Sequence, residues 1–224
     1  MGIMDFPQAE AFKILREGLL SLNLKPSDEQ MRCFSVYLWE LKKWSKAFNL
    51  TGIRNDNEIV VQHFLDSMLY LVPAAEHFLS VADIGSGAGF PGIPMKIMRP
   101  ELAMYLIEPS GKKGVFLRRI VHMLQISGVT VIEKRIEEVS VPSDISAPVD
   151  IAVTRALFDI REFVRKTAHI VKPGGFFILN KGPRVTEELR EAGELQYELM
   201  KIPLPQSDIV RTIVVIKGET AASS

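Results

Sequence analysis

The sequence predicts an α/β protein with a Rossmann-like, mostly parallel sheet, a helical extension before it and a C-terminal antiparallel hairpin. Apolar residues recur at helical spacing over residues 1–75, and from residue 79 short apolar runs alternate with helical stretches. The last two apolar runs are joined by a short polar turn, as in a hairpin. We therefore expect a helical extension over residues 1–75, a second domain over 76–219 and a frayed tail over 220–224.

The extension is predicted to contain three helices. The first is expected from apolar residues at steps of three and four, namely Phe6, Ala9, Phe12, Leu15, Leu19 and Leu22. Ser27 and Gln30 have the spacing of a capping box, so a second helix is expected to begin there. Its buried stripe is predicted to be Met31, Phe34, Leu38, Leu41, Trp44 and Phe48. A third helix is expected from an N-cap at Asn57 to Leu71, with Pro73 ending it.

The second domain is predicted to alternate strands with helices. The expected strands are Leu79–Ile84, Ala103–Ile107, Val129–Glu133, Asp150–Thr154 and Gly175–Asn180, and the expected helices are Gly92–Met98, Lys112–Ile126 and Asp159–Val171. Apolar strands without alternation, separated by helices, indicate a parallel sheet covered on both faces. Two further strands, Tyr197–Ile202 and Ile209–Lys217, are expected to form the hairpin.

Composition and charge argue against several classes of protein. A chain of 224 residues is long enough to bury roughly 70% of its unfolded surface. Cys33 is the only cysteine, which excludes an intramolecular disulfide and a cysteine-based zinc site. Charges interrupt any secretory signal in the first twenty residues, and no run of 18 apolar residues exists. We expect a cytoplasmic protein with no membrane partner. The formal net charge of zero, taken alone, argues against a nucleic-acid partner.

A glycine-rich loop between the first predicted strand and the helix at Gly92 is the strongest local motif. It has the pattern D-x-G-x-G-x-G, formed by Asp83, Gly85, Gly87 and Gly89. A phosphate-binding Walker A loop is excluded, because Ile93 and Pro94 stand where a lysine and a hydroxyl residue are required. Phe90 occupies the third glycine place of the dinucleotide fingerprint. The pattern resembles the first motif of class I methyltransferases that use S-adenosylmethionine (SAM), and its acid suits an ammonium group better than a pyrophosphate.

Acidic and apolar residues after the next two strands fit the rest of such a site. Glu108 ends the second predicted strand, 19 residues after Gly89, where Rossmann-type sites place an acid on the ribose hydroxyls. A solvated surface glutamate is the alternative. Ile136 and Glu137 follow the third strand and are candidates to flank the adenine.

Several segments together resemble the bacterial glucose-inhibited division protein B family. They are Phe48-Asn-Leu-Thr51, His63-Phe-Leu-Asp-Ser67, Asp83 to Ile93, Lys112-Lys113, Phe116-Leu-Arg118, Arg135-Ile-Glu-Glu138 and Thr154-Arg155-Ala156. The resemblance covers nearly the whole chain. It implies a class I SAM-dependent methyltransferase domain over 76–219, and methylation of N7 of a guanine in small-subunit (16S) ribosomal RNA. SAM is the implied cofactor, and S-adenosylhomocysteine the product.

The resemblance also implies roles for residues. Gly85 and Phe90 would contact SAM, Ile136 and Glu137 would hold the adenine, and Arg155 would lie at the mouth of the active site and reach cofactor or substrate. Together with the motif residues, the cofactor-binding candidates are Asp83, Gly85, Gly87, Gly89, Phe90, Glu108, Ile136, Glu137 and Arg155.

Guanine N7 has a free lone pair, so a site for it can work through positioning and charge rather than through a base. The sequence is consistent with this. Thr154-Arg155-Ala156-Leu157 stands after the fourth strand in place of the Asn/Asp-Pro-Pro-aromatic motif of enzymes that methylate exocyclic amines. Arg155 is the catalytic candidate, since arginine can hydrogen-bond guanine O6 beside N7. The alternative is a structural arginine paired with Asp150 or Asp159.

Basic residues suggest where RNA binds. The candidates are Lys112, Lys113, Arg118 and Arg119, with Arg54, Lys181 and Arg184 as outer positions. Residues 96–135 hold eight cations against three acids, so the neutral total conceals a basic segment and predicts a modest basic patch. His63 and Asp66 lie three apart on one helix, which is half a metal site at most. We expect no metal there, and hydrogen bonds that dock this helix on the sheet.

Other functions remain open from the sequence alone. They are a SAM-dependent methyltransferase for a small molecule or a protein, a non-catalytic module that binds SAM or a nucleotide, and an NAD-dependent oxidoreductase. Phe90 disfavours the oxidoreductase. Ribosomal RNA or a ribosomal subunit is the expected partner, and a monomer the expected state.

Overall fold

The computed structural model describes residues 9–73, 78–155 and 157–218, with one seven-stranded sheet at the centre. The strands are β1 (Ser80–Ile84), β2 (Ala103–Ile107), β3 (Val129–Ile132), β4 (Val149–Arg155), β5 (Val171–Lys181), β6 (Tyr197–Pro203) and β7 (Val210–Lys217). Their order is β3-β2-β1-β4-β5-β7-β6, with β1 to β5 parallel and β7 antiparallel to both neighbours. The predicted Rossmann-like architecture with a C-terminal antiparallel hairpin is confirmed.

Helices precede the sheet and cover both of its faces. They are α1 (Ala9–Ser21), α2 (Asp28–Phe48), α3 (Asp56–Ile59), α4 (Asp66–Met68), α5 (Gly92–Met98), α6 (Gly111–Leu124), α7 (Ile160–Thr167) and α8 (Val185–Ala192). A π-helical segment, Val60–Leu65, joins α3 to α4, and short 3-10 turns occupy Ile136–Glu138 and Ala168–Ile170. The structure adds α8, which the sequence did not predict. The expectations for Phe6, Ala156 and the tail 220–224 lie outside the described residues.

Local hydrogen bonds explain where the helices of the extension begin and end. The Ser27 hydroxyl accepts from Gln30 N at 3.2 Å while Gln30 accepts from Ser27 N at 2.8 Å, so the predicted capping box is confirmed. Asn49, with φ of 53°, ends α2. The predicted N-cap at Asn57 is wrong. Asn55 caps α3 instead, because its side chain accepts from Glu58 N at 3.1 Å, and the helix starts two residues earlier than predicted.

The extension and the sheet share one hydrophobic cluster. Leu15 and Phe34 from the extension pack in the same cluster as Ile93 and Phe116 from α5 and α6. A second cluster lies on the other face of the sheet, under α7 and α8. The division at residues 75 and 76 stays a prediction. The expected burial of Phe48 is wrong, since 42% of this residue is exposed at the end of α2. Among the described residues, no helix is long and apolar enough to cross a membrane.

Candidate active site

The glycine loop between β1 and α5 has a backbone that only glycine adopts readily. Gly85, Gly87 and Gly89 have φ of 71°, 60° and 99°. Gly85 N and Ser86 N donate to Ile107 O at 2.8 and 3.2 Å, which folds the loop against the carboxyl end of β2. The loop therefore lies at the carboxyl edge of the sheet, where open α/β sheets bind ligands, and its glycines place no side chains between the backbone and a ligand.

Glu108 lies beside this loop. Its Oε2 accepts from Gly87 N at 2.8 Å and its Oε1 accepts from Ser110 N at 3.0 Å, and the residue is 4% exposed. The alternative of a solvated surface glutamate is therefore wrong. Each carboxylate oxygen has a second lone pair, so the bonds to the loop leave acceptor capacity for two vicinal hydroxyls. Lys113 Nζ lies 3.9 Å from Oε2 and adds positive charge at this position.

Asp83 is fully buried beneath the loop. Its Oδ2 accepts from Gly92 N at 2.9 Å, while its Oδ1 has no hydrogen-bond partner among the described residues. Burial raises the pKa of this carboxyl to about 7, against the opposing effects of Gly92 N and Arg155. An unpartnered buried carboxylate oxygen fits a donor or cation that completes its shell.

Aromatic side chains support the loop from below. Tyr37 of α2 donates its hydroxyl to Ala88 O at 2.6 Å, and its ring stacks on Phe90 with centroids 5.3 Å apart. Phe90, predicted as a cofactor contact, is 4% exposed and also stacks on His63 at 4.6 Å. The side chain of Phe90 thus belongs to the floor of the loop. No sequence motif marked Tyr37, which is one apolar-face residue among many on α2.

Arg155 ends β4 and faces the helix that joins the extension to the sheet. Its Nη1 donates to Gln62 O at 3.3 Å and to His63 Nδ1 at 3.2 Å, and lies 3.8 Å from Asp66 Oδ2. The guanidinium carbon is 5.3 Å from the centre of the Phe90 ring. The expected alternative partners are wrong, since Asp150 accepts from Leu79 N and Ser80 N and Asp159 caps α7.

His63 and Asp66 join the π-helical segment to the sheet. Asp66 is 2% exposed and accepts from Arg211 Nε at 2.7 Å and from Asn180 Nδ2 at 3.2 Å. His63 Nε2 lies 2.7 Å from Thr51 Oγ1, and burial, with Arg155 adding to it, lowers the pKa of His63 to about 4. These hydrogen bonds are the docking contacts that the sequence predicted. π-helical turns are often found at functional sites. Arg211 and Asn180 had no motif that could have identified them.

Two further candidates lie in the turn after β3, the strand next to β2. Ile136 is buried in its 3-10 turn, while Glu137 is largely exposed and pairs with Lys166 at 2.6 Å. The side chain of Leu157, which had no assigned role, lies against Gly85 and is half exposed at the mouth of the loop.

Most of the predicted RNA-binding cations already have acidic partners. Lys113 pairs with Glu108 at 3.9 Å, Arg118 with Glu133, Arg119 with Glu40 at 3.3 Å, and Lys181 with Glu188 at 2.6 Å. The Lys181 side chain is only 8% exposed. The remaining candidates, Lys112, Arg54 and Arg184, are exposed and make no ion pair within the described part of the chain. Among the described residues, no three metal-ligating side chains cluster.

Comparisons with known proteins agree with this architecture. The family model "GidB: rRNA small subunit methyltransferase G" matches residues 30–205. A ribosomal RNA small subunit methyltransferase G from Acetivibrio thermocellus is 35% identical over 222 residues, covering 96% of this chain and 91% of the relative. One from Neisseria meningitidis serogroup B is 35% identical over 207 residues, covering 90% and 96%.

A solved structure supports the fold independently. The crystal structure of a methyltransferase from Pyrococcus furiosus matches with a TM-score of 0.58 at 13% identity, over 81% of this chain and 95% of that one. The fold is therefore that of a class I SAM-dependent methyltransferase. With a family model that matches most of its length and close relatives along nearly all of it, the chain belongs to the GidB family of small-subunit ribosomal RNA methyltransferases, which methylate ribosomal RNA with SAM.

Proposed function

We propose that this protein transfers the methyl group of SAM to N7 of one guanine in small-subunit ribosomal RNA and releases S-adenosylhomocysteine. The observation that carries the proposal is the juxtaposition of the glycine loop, Glu108 and Arg155 at the carboxyl edge of the sheet in a chain of this family. The proposed setting is a cytoplasmic monomer acting on ribosomal RNA or a ribosomal subunit, with residues 1–75 as an extension of a catalytic domain over 76–219.

The residues present fit SAM. Gly85, Gly87 and Gly89 leave space for close approach of a ligand to the backbone, and Glu108 would accept from the ribose hydroxyls. The unpartnered Asp83 Oδ1 below the loop would accept a hydrogen bond from the ammonium group of the cofactor, whose positive charge would favour the ionised carboxylate. Ile136 and Glu137 would flank the adenine. SAM supplies an electrophilic methyl on a cationic sulfonium.

Arg155 is the residue that we assign to the substrate. Guanine N7 needs no deprotonation, so the protein must orient the base and place charge correctly. The guanidinium would hydrogen-bond guanine O6, as arginine does on base edges. Asp66, His63 and the Phe90 ring hold Arg155 in place before the substrate arrives. Methylation makes the base cationic, so repulsion by Arg155 would favour release of the product. This proposal requires no metal.

The test is transfer of a tritiated methyl group from SAM to small ribosomal subunits, protein-free ribosomal RNA, bulk protein and a set of small metabolites, followed by mapping of the modified nucleotide. The expected result is one N7-methylguanosine in the small-subunit RNA. Label on protein or on a small molecule, or at another atom of RNA, would contradict the proposal. Stabilisation of the protein by NADH and not by SAM in thermal melts would contradict the cofactor assignment.

A further inference from the structure

The segment around the end of α2 is positive and free of acids. Residues 41–55 contain Lys42, Lys43, Lys46 and Arg54 and no Asp or Glu. Only Lys42 makes an ion pair among the described residues, with Asp56, while the Lys43 ammonium lies over the Trp39 ring at 4.8 Å. The basic segment 96–135 differs, because Arg118 and Arg119 there are neutralised by carboxylates in the fold. Lys43, Lys46 and Arg54 thus remain as three cations without an acidic partner among the described residues, close together in the sequence around the end of α2.

The end of α2 projects past the carboxyl edge of the sheet. Near its start, Gln30 donates to Ile97 O at 2.9 Å, at the far end of α5 from the glycine loop. Tyr37 meets the loop at Ala88 O. Phe48 is eleven residues further, or about 16 Å of helix. The helix therefore runs from the opposite edge of the sheet, passes the loop and ends beyond it on the ligand side.

Contacts with α6 give the same direction. Glu40 pairs with Arg119, and Trp44 contacts Phe116 with ring centroids 5.7 Å apart, so later residues of α2 meet earlier residues of α6. The helices are antiparallel, and one further turn brings Phe48 toward Lys112 at the start of α6. That start directly follows Glu108 and the carboxyl end of β2.

A chain of hydrogen bonds connects this helix end to Arg155. Three residues after Phe48, Thr51 Oγ1 lies 2.7 Å from His63 Nε2, and His63 Nδ1 lies 3.2 Å from Arg155 Nη1. Three residues of chain span at most about 10 Å. The end of α2 is thus a neighbour of the site where we place the target base.

Phe48 gives this end a stacking surface. Its ring stacks on Trp44 at 5.3 Å, and Trp44 is held by Nε1 donating to the buried Glu40 at 3.0 Å. Phe48 itself is 42% exposed. An exposed aromatic ring on a rigid support, with cations in the same segment, has the two features with which proteins bind single-stranded nucleic acid.

Building on the proposed function, we propose that the α2 tip (Phe48 with Lys43, Lys46 and Arg54) binds an unpaired stretch of ribosomal RNA next to the target guanine. One base stacks on Phe48, and the cations contact the phosphates on either side. The extension then acts as a substrate-binding element that selects unpaired RNA by base stacking. The net charge of the protein is zero, so overall electrostatic attraction could not supply this selectivity.

The test measures binding of protein-free small-subunit ribosomal RNA by fluorescence polarisation over a range of salt concentrations. Phe48→Ala should weaken binding about 5- to 100-fold, as expected for loss of a stacked base, and Phe48→Trp should restore it. Lys43→Ala/Lys46→Ala should reduce the salt slope by about 1.4, or about 0.7 for each lost contact with a single strand. SAM affinity and melting temperature should stay close to those of the wild type.

Matched controls come from the hairpin at the other edge of the sheet. Tyr197 is an aromatic residue with an exposed fraction of 49%, close to that of Phe48. Lys201 and Lys217 are exposed cations without ion pairs among the described residues. Tyr197→Ala and Lys201→Ala/Lys217→Ala should leave RNA affinity and salt slope unchanged. Equal effects of the two sets would reject the α2 tip as a specific surface.

Other outcomes separate this inference from the proposed function. If the wild type does not methylate ribosomal RNA, the proposed function fails. If it does so and Phe48→Ala methylates and binds equally well, only the α2 tip is rejected. Loss of binding to assembled subunits but not to protein-free RNA would show a protein partner at this surface, and would overturn the RNA assignment.

Discussion

Arg155 Nη1 donates to His63 Nδ1 at 3.2 Å, and this bond determines which nitrogen of the histidine carries the proton. A guanidinium can only donate, so Nδ1 must be the acceptor and the proton is assigned to Nε2. Nε2 then donates to Thr51 Oγ1 at 2.7 Å. His63 is therefore neutral, in agreement with a pKa lowered to about 4 by burial and by Arg155. The positive charge of the pair belongs to Arg155 alone.

The lowered pKa of His63 makes stability depend on pH. In the unfolded chain His63 is protonated below its ordinary pKa of 6.5, whereas in the folded protein it stays neutral down to about pH 4. The free energy of unfolding should therefore fall as pH drops from 6.5 toward 4, by at most about 3 kcal/mol. Urea titrations across this range should show that His63→Gln removes this contribution. His122→Gln serves as the control, and an equal change in that variant would contradict the assignment.

Asp83 should make the free energy of unfolding depend on pH in the direction opposite to His63. Its pKa is raised to about 7, so between pH 4 and 7 the folded protein holds a proton that the unfolded chain has released. Stability from this group is thus lost as pH rises through that window, by at most about 4 kcal/mol. In Asp83→Asn, which keeps an acceptor for Gly92 N, unfolding free energy should rise more steeply with pH than in the wild type. A parallel pair of pH profiles would show that Asp83 does not titrate in this range.

The glycine loop should tolerate alanine to different degrees at different positions. At Gly87, with φ of 60°, an added Cβ meets only Gly85 O at 3.8 Å. Gly87→Ala should therefore lose about 1 kcal/mol of stability, from the left-handed backbone conformation alone. At Gly89, with φ of 99°, the same Cβ would lie 2.5 Å from Ile93 Cδ1 and 2.8 Å from the Tyr37 hydroxyl. Gly89→Ala should lose at least twice as much stability in chemical denaturation. Equal losses would contradict the loop geometry.

The sequence predicted the fold well because apolar periodicity and the glycine motif are local signals. The strands at Ala103–Ile107 and the helix at Gly92–Met98 were predicted to the residue. What it missed depends on contacts between distant segments. Nothing near Asp66 in the sequence points to Arg211, 145 positions away, yet the two are 2.7 Å apart.

The cations show the same limitation. A count along the chain marks residues 96–135 as basic, but folding brings Glu40 from α2 to Arg119, and Asp144 to Lys134, and neither acid belongs to the counted segment. Free charge at a surface is a property of the tertiary structure, so composition by segment overstates the charge that remains unpaired there. The cofactor candidates were easier to find, because a loop and a strand end at adjacent strands carry them.

Two buried tyrosines offer a matched test of how the extension supports the site. Tyr37 donates to Ala88 O at 2.6 Å in the glycine loop, and Tyr70 donates to Thr154 O at 2.8 Å next to Arg155. Both are fully buried, so each Phe variant should lose about 1 kcal/mol of stability. Tyr37→Phe should raise the dissociation constant for SAM severalfold, measured by calorimetry. Tyr70→Phe should leave that constant unchanged, and a similar loss of SAM affinity in both variants would contradict separate roles.

Replacement of Arg155 tests the proposed catalytic role most directly. Arg155→Ala should lower the rate of methylation about 10²- to 10³-fold, the usual loss for a positioned donor, while SAM binding changes little. Arg155→Lys keeps the charge but not the planar fork that can contact a base edge and His63 together, so it should recover only part of the activity. Because Asp66 keeps its partner Arg211 in both variants, its burial remains compensated. Single-turnover rates with saturating ribosomal RNA, set beside SAM affinity, separate the two effects, and equal losses of rate and of SAM affinity would reject the assignment of Arg155 to the substrate.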